Sequence, residues 1–211
     1  MKAEKIWDQI ADKYDKTEKR FKQYHMRIIE NTEKYLTKND IVLDYGCATG
    51  TKAFELADKV KKILGIDISS RMINIAETKA AHNKALNVNF SHTTLFDKRN
   101  RKESFDVILA FNILHALKDS RKIITRISEL IRPGGLFISA TPCLKEKIAF
   151  PNRMELYFYL LLTKTGLIPS SLKRFTFSEL EEIITNGNFL IVDTEKIYTG
   201  TSGYFIAAKK I

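Results

Sequence analysis

The residues best placed to do chemistry begin with VLDYGCATG, residues 42–50. A carboxylate, Asp44, stands two positions before Gly46, and Gly50 follows with the small residues Ala48 and Thr49 between them. Glycines so spaced after an apolar run form a tight turn in which a ligand can lie directly on backbone, because glycine has no Cβ and tolerates φ > 0. A dinucleotide fingerprint would need glycine at 46, 48 and 51, where the chain has Gly46, Ala48 and Thr51. A phosphate loop would end in Gly-Lys-Ser/Thr, and Gly50-Thr51-Lys52 is a different order. A pyrophosphate ligand is therefore not indicated.

Asp67 is the second candidate. It ends the run KILGIDIS, 17 residues after Gly50, where a carboxylate can accept hydrogen bonds from both hydroxyls of a ribose. The alternative role is an N-cap of the following helix, for which Ser69 and Ser70 are also available. His115 lies a few residues beyond the apolar run FDVILAF and is the candidate general base; a surface or packing histidine is the other reading. Asn112 stands at the same edge. Tyr157 is a candidate for an acceptor pocket, with Phe158 and Tyr159, though aromatic residues at that spacing also suit a core or an interface. No His/Cys/Glu cluster has metal-ligand spacing and no Ser–His–Asp set is evident.

These residues need elements to carry them. Buried strands are expected at 41–45, 62–69, 87–92, 105–111 and 136–141, alternating with helices at about 50–60, from Met72 to Ala80, and at 119–131. That alternation predicts an α/β fold with a doubly wound, mostly parallel sheet. Right-handed crossovers would gather Asp44, Asp67, the 93–97 turn, Phe111 and Thr141 on one edge, where open α/β sheets bind ligands. Pro133-Gly134-Gly135 is read as stopping the helix before strand five. Two amphipathic segments, 4–18 and 21–37, precede the first strand, the former with Ile6, Trp7, Ile10, Ala11 and Tyr14 on one face. Late in the chain come a helix at about 178–186, with a capping box expected from Ser178 to Glu181, and two antiparallel strands, 189–197 and 203–210. The whole chain, 1–211, reads as one domain, with residues 1–38 as a helical flap and 142–172 as a cap insertion. The cap could serve as a lid, a dimer interface or a membrane-grazing helix.

Composition narrows the class further. The chain has 35 Lys and Arg against 25 Asp and Glu, a net charge of +10. The lysines are spread over helix surfaces with no Arg-rich arm, so a solvated surface is preferred to a nucleic-acid footprint. No apolar run approaches the roughly 20 residues of a membrane-spanning helix. The first residues lack the apolar core of a signal peptide, and a cytoplasmic protein is expected. Cys47 and Cys143 read as free thiols or small packing residues.

Taken in order, VLDYGCATG, GIDIS, SHTTLFD, FDVILAFNILHAL and LIRPGGLFISA resemble the motifs of class I S-adenosylmethionine-dependent methyltransferases. The resemblance runs from about residue 5 to the C-terminus and is close through residue 141. It is nearest to the small-molecule branch that includes ubiquinone and menaquinone methyltransferases, which share the pattern W-D-x-I-A-x-x-Y-D found here at Trp7–Asp15. It implies a Rossmann-like seven-stranded sheet with an antiparallel last strand, N-terminal helices and a small helical cap.

It also implies roles. Gly46 to Gly50, with Ala48 and Thr49, would hug the methionine part of the cofactor, S-adenosyl-L-methionine, with Asp44 near its amino group. Asp67 would hold the ribose, Ile68 and Met72 would sandwich the adenine, and Thr94 and Leu95 would read the adenine edge. The acid usual at position 94 is missing, and the Thr94 hydroxyl or Asp97 could supply its contact. Phe111 would lie near the methionine end, and Tyr14 would close over it. A sulfonium methyl is already electrophilic, so alignment and exclusion of water supply much of the effect. The expected function is in-line methyl transfer to a small, partly apolar acceptor. The rival expectations are a lipid or quinone methyltransferase touching the membrane through residues 150–168, a non-catalytic cofactor-binding module, and an RNA methyltransferase. The oligomeric state is left open.

Overall fold

The computed structural model describes residues 2–83, 85–154, 156 and 172–211. Its centre is a seven-stranded sheet in the order β3-β2-β1-β4-β5-β7-β6. The strands are β1 (Ile41–Tyr45), β2 (Lys62–Asp67), β3 (Val88–His92), β4 (Phe105–Phe111), β5 (Ile131–Pro142), β6 (Phe189–Tyr198) and β7 (Ser202–Lys210). β1, β2, β3, β4 and β5 are parallel, while β7 pairs antiparallel with both β5 and β6. One reversed strand thus closes an otherwise parallel sheet.

The apolar run of β4 is buried on both faces, as a central parallel strand requires. Val107 and Leu109 pack on the side of α2 (Lys22–Glu33) and α3 (Thr51–Leu56). Ile108 and Ala110 face α5 (Ser120–Leu130) and α6 (Phe177–Thr185). In α5 the stripe Ile124, Ile127 and Leu130 is fully buried, each side chain contributing roughly 1.5–3 kcal/mol of hydrophobic stabilisation. Asp119 starts that helix by accepting a bond from Lys122 N at 3.0 Å.

Two local expectations are corrected. The strand after α5 begins at Ile131, so Pro133-Gly134-Gly135 lies within β5 instead of preceding it. The β4–β5 register shifts between Phe105 and Val107, and a Cβ on Gly135 would stand 2.6 Å from Asp106 O; the glycine admits the irregularity. The capping box of α6 is Thr176 with Glu179, and not the Ser178–Glu181 pair. Both pairs have the right spacing, but helix from Phe177 onward lets that ring pack on Tyr204, centroids 4.6 Å apart.

α1 (Lys2–Glu18) runs almost directly into α2 through a short 3-10 turn, and it packs on α4 (Ser70–Asn83). Its apolar stripe buries little: Ala11 is buried, but Ile10 is 41% exposed. Among the described residues, no helix is long and apolar enough to cross a membrane. Tyr157, with Phe158 and Tyr159, and about half of the 142–172 segment lie outside the described residues.

Candidate functional site

The glycine turn sits at the C-terminal end of β1. Gly46 N and Cys47 N both donate to Ile66 O of β2, at 2.8 and 3.1 Å, and Gly50 N donates to Cys47 O at 2.9 Å. Gly46 and Gly50 have φ of +74° and +77°. Their bare Cα atoms also make room for core side chains: a Cβ would stand 2.3 Å from Ile113 Cδ1 at Gly46 and 2.4 Å from Phe90 Cζ at Gly50. Ala48 has φ of +48° between them, a left-handed conformation costing an L-residue about 1–2 kcal/mol.

Asp67 secures this turn from the end of β2. Its Oδ2 accepts from Ala48 N at 3.1 Å and its Oδ1 from Ser69 N at 2.8 Å. Burial pushes its carboxyl upward against those hydrogen bonds. The helix-capping role belongs to Ser69, whose Oγ accepts from Met72 N at 3.1 Å. Asp44 is 3% exposed. Burial pushes its carboxyl up to about 7; Lys52 opposes the shift, and Asp67 and Glu18 reinforce it. A carboxylate held this way favours a cation beside it.

Tyr14, Asp44, Gly46, Ala48, Thr49 and Phe111 line one small cavity together with Glu18, Cys47, Thr51 and Lys52. Burial pushes the Tyr14 phenol well up, helped by Glu18. The cavity measures about 10 Å³ because α1 fills the space above the turn, whereas small-molecule sites run to roughly 300–1,000 Å³.

A row of carboxylates on α1 holds it there. Asp8 Oδ1 accepts from Ser69 Oγ at 2.6 Å and from Arg71 N at 3.2 Å, at the start of α4. Asp12 pairs with the Arg71 guanidinium. Asp15 accepts from Thr49 Oγ1 inside the turn and pairs with Lys79 Nζ at 2.6 Å. Glu18 pairs with Lys52 at 2.7 Å, both side chains mostly buried. His25 lies beside Glu18, and burial reinforced by Lys52 pushes its imidazole down to about 4. Asp8 and Asp15 belong to the sequence pattern at Trp7–Asp15, but nothing in that pattern tells what either carboxylate binds.

The other expected residues are arranged less tightly. Met72 is buried in α4 and Ile68 is half-buried, its carbonyl 3.0 Å from His92 Nε2. Thr94 is exposed and its hydroxyl accepts from Phe96 N at 3.3 Å; the Leu95 side chain is core, packed with Leu43 and Ile66. These four are not among the walls of the cavity at Asp44. Asp97 is engaged by Arg99 and Thr93, which hold its carboxyl well below the usual range. Asn112 has φ of +55° and its Oδ1 accepts from Tyr24 OH at 3.3 Å. Tyr24, from α2, carries no signal in the sequence that marks it as part of this edge.

His115 sits in the short turn after β4, and its carbonyl accepts from Lys173 N at 2.6 Å. Its Nδ1 is sealed from water without a partner among the described residues, and burial pushes the ring down to about 4. The residue as a whole is half-buried, and it is not part of the cavity at Asp44. Cys47 and Cys143 are buried free thiols.

Comparison with known proteins bears on this arrangement. The family model described as "Methyltransferase domain" matches residues 36–193. A demethylmenaquinone methyltransferase of Lactococcus lactis is 24% identical over 226 residues, covering 99% of this chain and 90% of that protein. A ubiquinone biosynthesis O-methyltransferase of Sinorhizobium fredii is 33% identical over 100 residues, covering 47% of this chain and 40% of its own length. Among solved structures, a SAM-dependent methyltransferase from Methanosarcina mazei superposes with a TM-score of 0.66 at 24% identity, covering 85% of this chain and 96% of that one.

Proposed function

The chain belongs to the S-adenosylmethionine-dependent methyltransferases, and from that premise we propose that it methylates a small, partly apolar acceptor of the aromatic class named for its quinone-pathway relatives. The observation that carries the placement of the donor is Asp44: a buried carboxylate, pushed up to about 7, on the wall of the same cavity as Gly46, Tyr14 and Phe111. A donor with an ammonium-bearing tail and a ribose fits that set, the ammonium at Asp44 and the ribose hydroxyls at Asp67. Ile68 and Met72 would flank the base, and the backbone at Thr94 and Leu95 would meet its edge.

When bound, the donor would supply an electrophilic methyl on a sulfonium. The protein's part is then binding, alignment and dryness. The Phe111 and Tyr14 rings stand where a cationic sulfur is favoured by aromatic faces. Of the expected flap, residues 1–38, α2 packs in the core and α1 is the part that would act as a flap, moving to admit a ligand of this size and closing again through its carboxylates. If the acceptor is a phenol or quinol, its proton goes to a base, and His115, neutral at pH 7, is the candidate. Asn112, held by Tyr24, marks the rim between donor and acceptor.

The test is a methyl-transfer screen across quinols, phenols, amines and RNA, read as S-adenosylhomocysteine formed. Turnover confined to small, partly apolar aromatic acceptors is expected. Turnover confined to RNA would overturn the proposed acceptor class.

A further inference from the structure

Beyond β5 a second and larger cavity, of about 370 Å³, opens between the residues from Leu144 to Arg153, with Leu156, and the stretch leading to α6. Its apolar walls are Leu144, Ile148 and Leu156, and its cations are Lys147, Arg153 and Arg174. Glu146 also lines it, but its carboxylate is turned to Phe177 N at the start of α6, at 2.9 Å.

The cations in this region divide by position. Lys145 pairs with Glu179, and Lys173 Nζ donates to Ser120 Oγ at 3.2 Å. The three that line the cavity have no carboxylate partner among the described residues. Lys147 lies over the Tyr198 ring, 5.5 Å from its centroid, and Arg153 over that of Phe150 at 5.8 Å. Cation–π contacts of that kind leave the charge able to meet an anion. Among the described residues the lining sets three cations against the single carboxylate of Glu146, an excess of positive charge that an anion would balance.

The cavity also stands on the reacting edge. Leu144 follows closely on β5, Cys143 N donates to Ser202 O at 2.8 Å, and Lys173 N donates to His115 O. Its walls are therefore anchored to the turn that carries His115 and to the end of the strand beside Asn112.

We propose that this cavity receives the acceptor, and that the acceptor is a soluble amphipathic anion: an apolar or aromatic body against Leu144, Ile148 and Leu156, and a carboxylate, sulfonate or phosphate held by Lys147, Arg153 and Arg174. The assignment to the acceptor rests on the methyl-transfer reading above; the binding chemistry does not.

Two fluorescent probes with the same apolar body separate the charge from the hollow: 1-anilinonaphthalene-8-sulfonate, which is anionic, and N-phenyl-1-naphthylamine, which is neutral. The sulfonate should bind the wild-type protein about ten-fold or more tightly than the neutral probe, given the strength of charge-assisted bonds. Arg174→Gln and Lys147→Gln together should abolish that preference and leave the neutral probe's affinity unaltered. Equal affinity of the two probes, or a preference that survives the double substitution, would overturn the proposal. So would sedimentation with phosphatidylglycerol vesicles that is lost in the double variant, because it would assign the cations to a membrane face. S-adenosylhomocysteine titrated into the same variant should bind as in the wild type. Should that product bind neither protein while the probe preference holds, the donor reading fails and the anion site stands.

Discussion

Asp15 of α1 accepts a hydrogen bond from Thr49, a residue inside the glycine turn 34 positions along the chain. The same carboxylate pairs with Lys79 of α4, so one side chain ties α1 to both the turn and the helix beside it. Neighbouring carboxylates repeat the pattern, with Asp8 at Ser69 and Glu18 at Lys52. The helix covers the site through polar contacts, and such contacts can be broken and remade with little net cost.

Asp15→Ala should therefore ease opening. The substitution removes half-exposed polar bonds, which together contribute about 1 kcal/mol, or about five-fold in the opening equilibrium. Stopped-flow binding of S-adenosylhomocysteine should show an association rate several-fold faster than wild type. A slower or unaltered rate would mean that α1 does not gate the site.

Ala48→Gly should relieve the left-handed strain at φ +48°. The gain of roughly 1–2 kcal/mol is partly offset by the greater freedom of glycine in the unfolded chain, leaving about 0.5–1 kcal/mol. Thermal melting should rise by about 1–4 °C. Ala48→Val should melt lower than wild type, since a branched side chain suits that conformation least. A drop for the glycine variant would show that the strain is not there.

Donor binding should depend on pH through Asp44, whose carboxyl titrates near 7 in the free protein. A ligand ammonium beside it favours the charged form, so the bound value lies lower. Between the two values binding expels a proton. Affinity should be full above about pH 7 and fall about ten-fold for each unit below it. Calorimetric titration with S-adenosylhomocysteine from pH 5.5 to 8 would show this slope, and Asp44→Asn should flatten it. A wild-type affinity constant across that range would exclude Asp44 from the site.

His115→Gln separates a base from a packing residue. Loss of a general base should lower kcat/KM for a hydroxyl acceptor by about 100-fold or more. The affinity for S-adenosylhomocysteine should stay the same, because His115 is not on the wall of the cavity at Asp44. An unaltered kcat/KM would assign the ring to packing.

Much of the sheet is legible in the sequence because its signals are local. Val42 to Gly50 carries strand, turn and helix start in nine consecutive positions, and the apolar run of β4 announces burial on both faces. Asp67 is legible for the same reason, standing at a strand end before a helix. What the flap does is not. Asp8, Asp12, Asp15 and Glu18 look like the solvated side of an amphipathic helix, and only tertiary packing on α4 and the turn brings that side inward. Of its apolar stripe Ala11 is buried and Tyr14 lines the cavity, while Ile10 is exposed. Pairings such as Tyr24 with Asn112 join residues 88 positions apart, and no local pattern encodes them. At α6 two equally spaced capping pairs compete, and the packing of Phe177 on Tyr204 decides between them.

The most direct test of the donor site is calorimetric titration of S-adenosylhomocysteine into wild-type protein and into Asp67→Ala. Wild type should bind one equivalent. The variant, without the carboxylate that accepts from Ala48 N and Ser69 N, should bind at least about ten-fold more weakly, as expected when a charge-assisted bond is removed. Equal affinity in the two proteins, or no binding by the wild type, would contradict the placement of the methyl donor at Asp67 and the glycine turn.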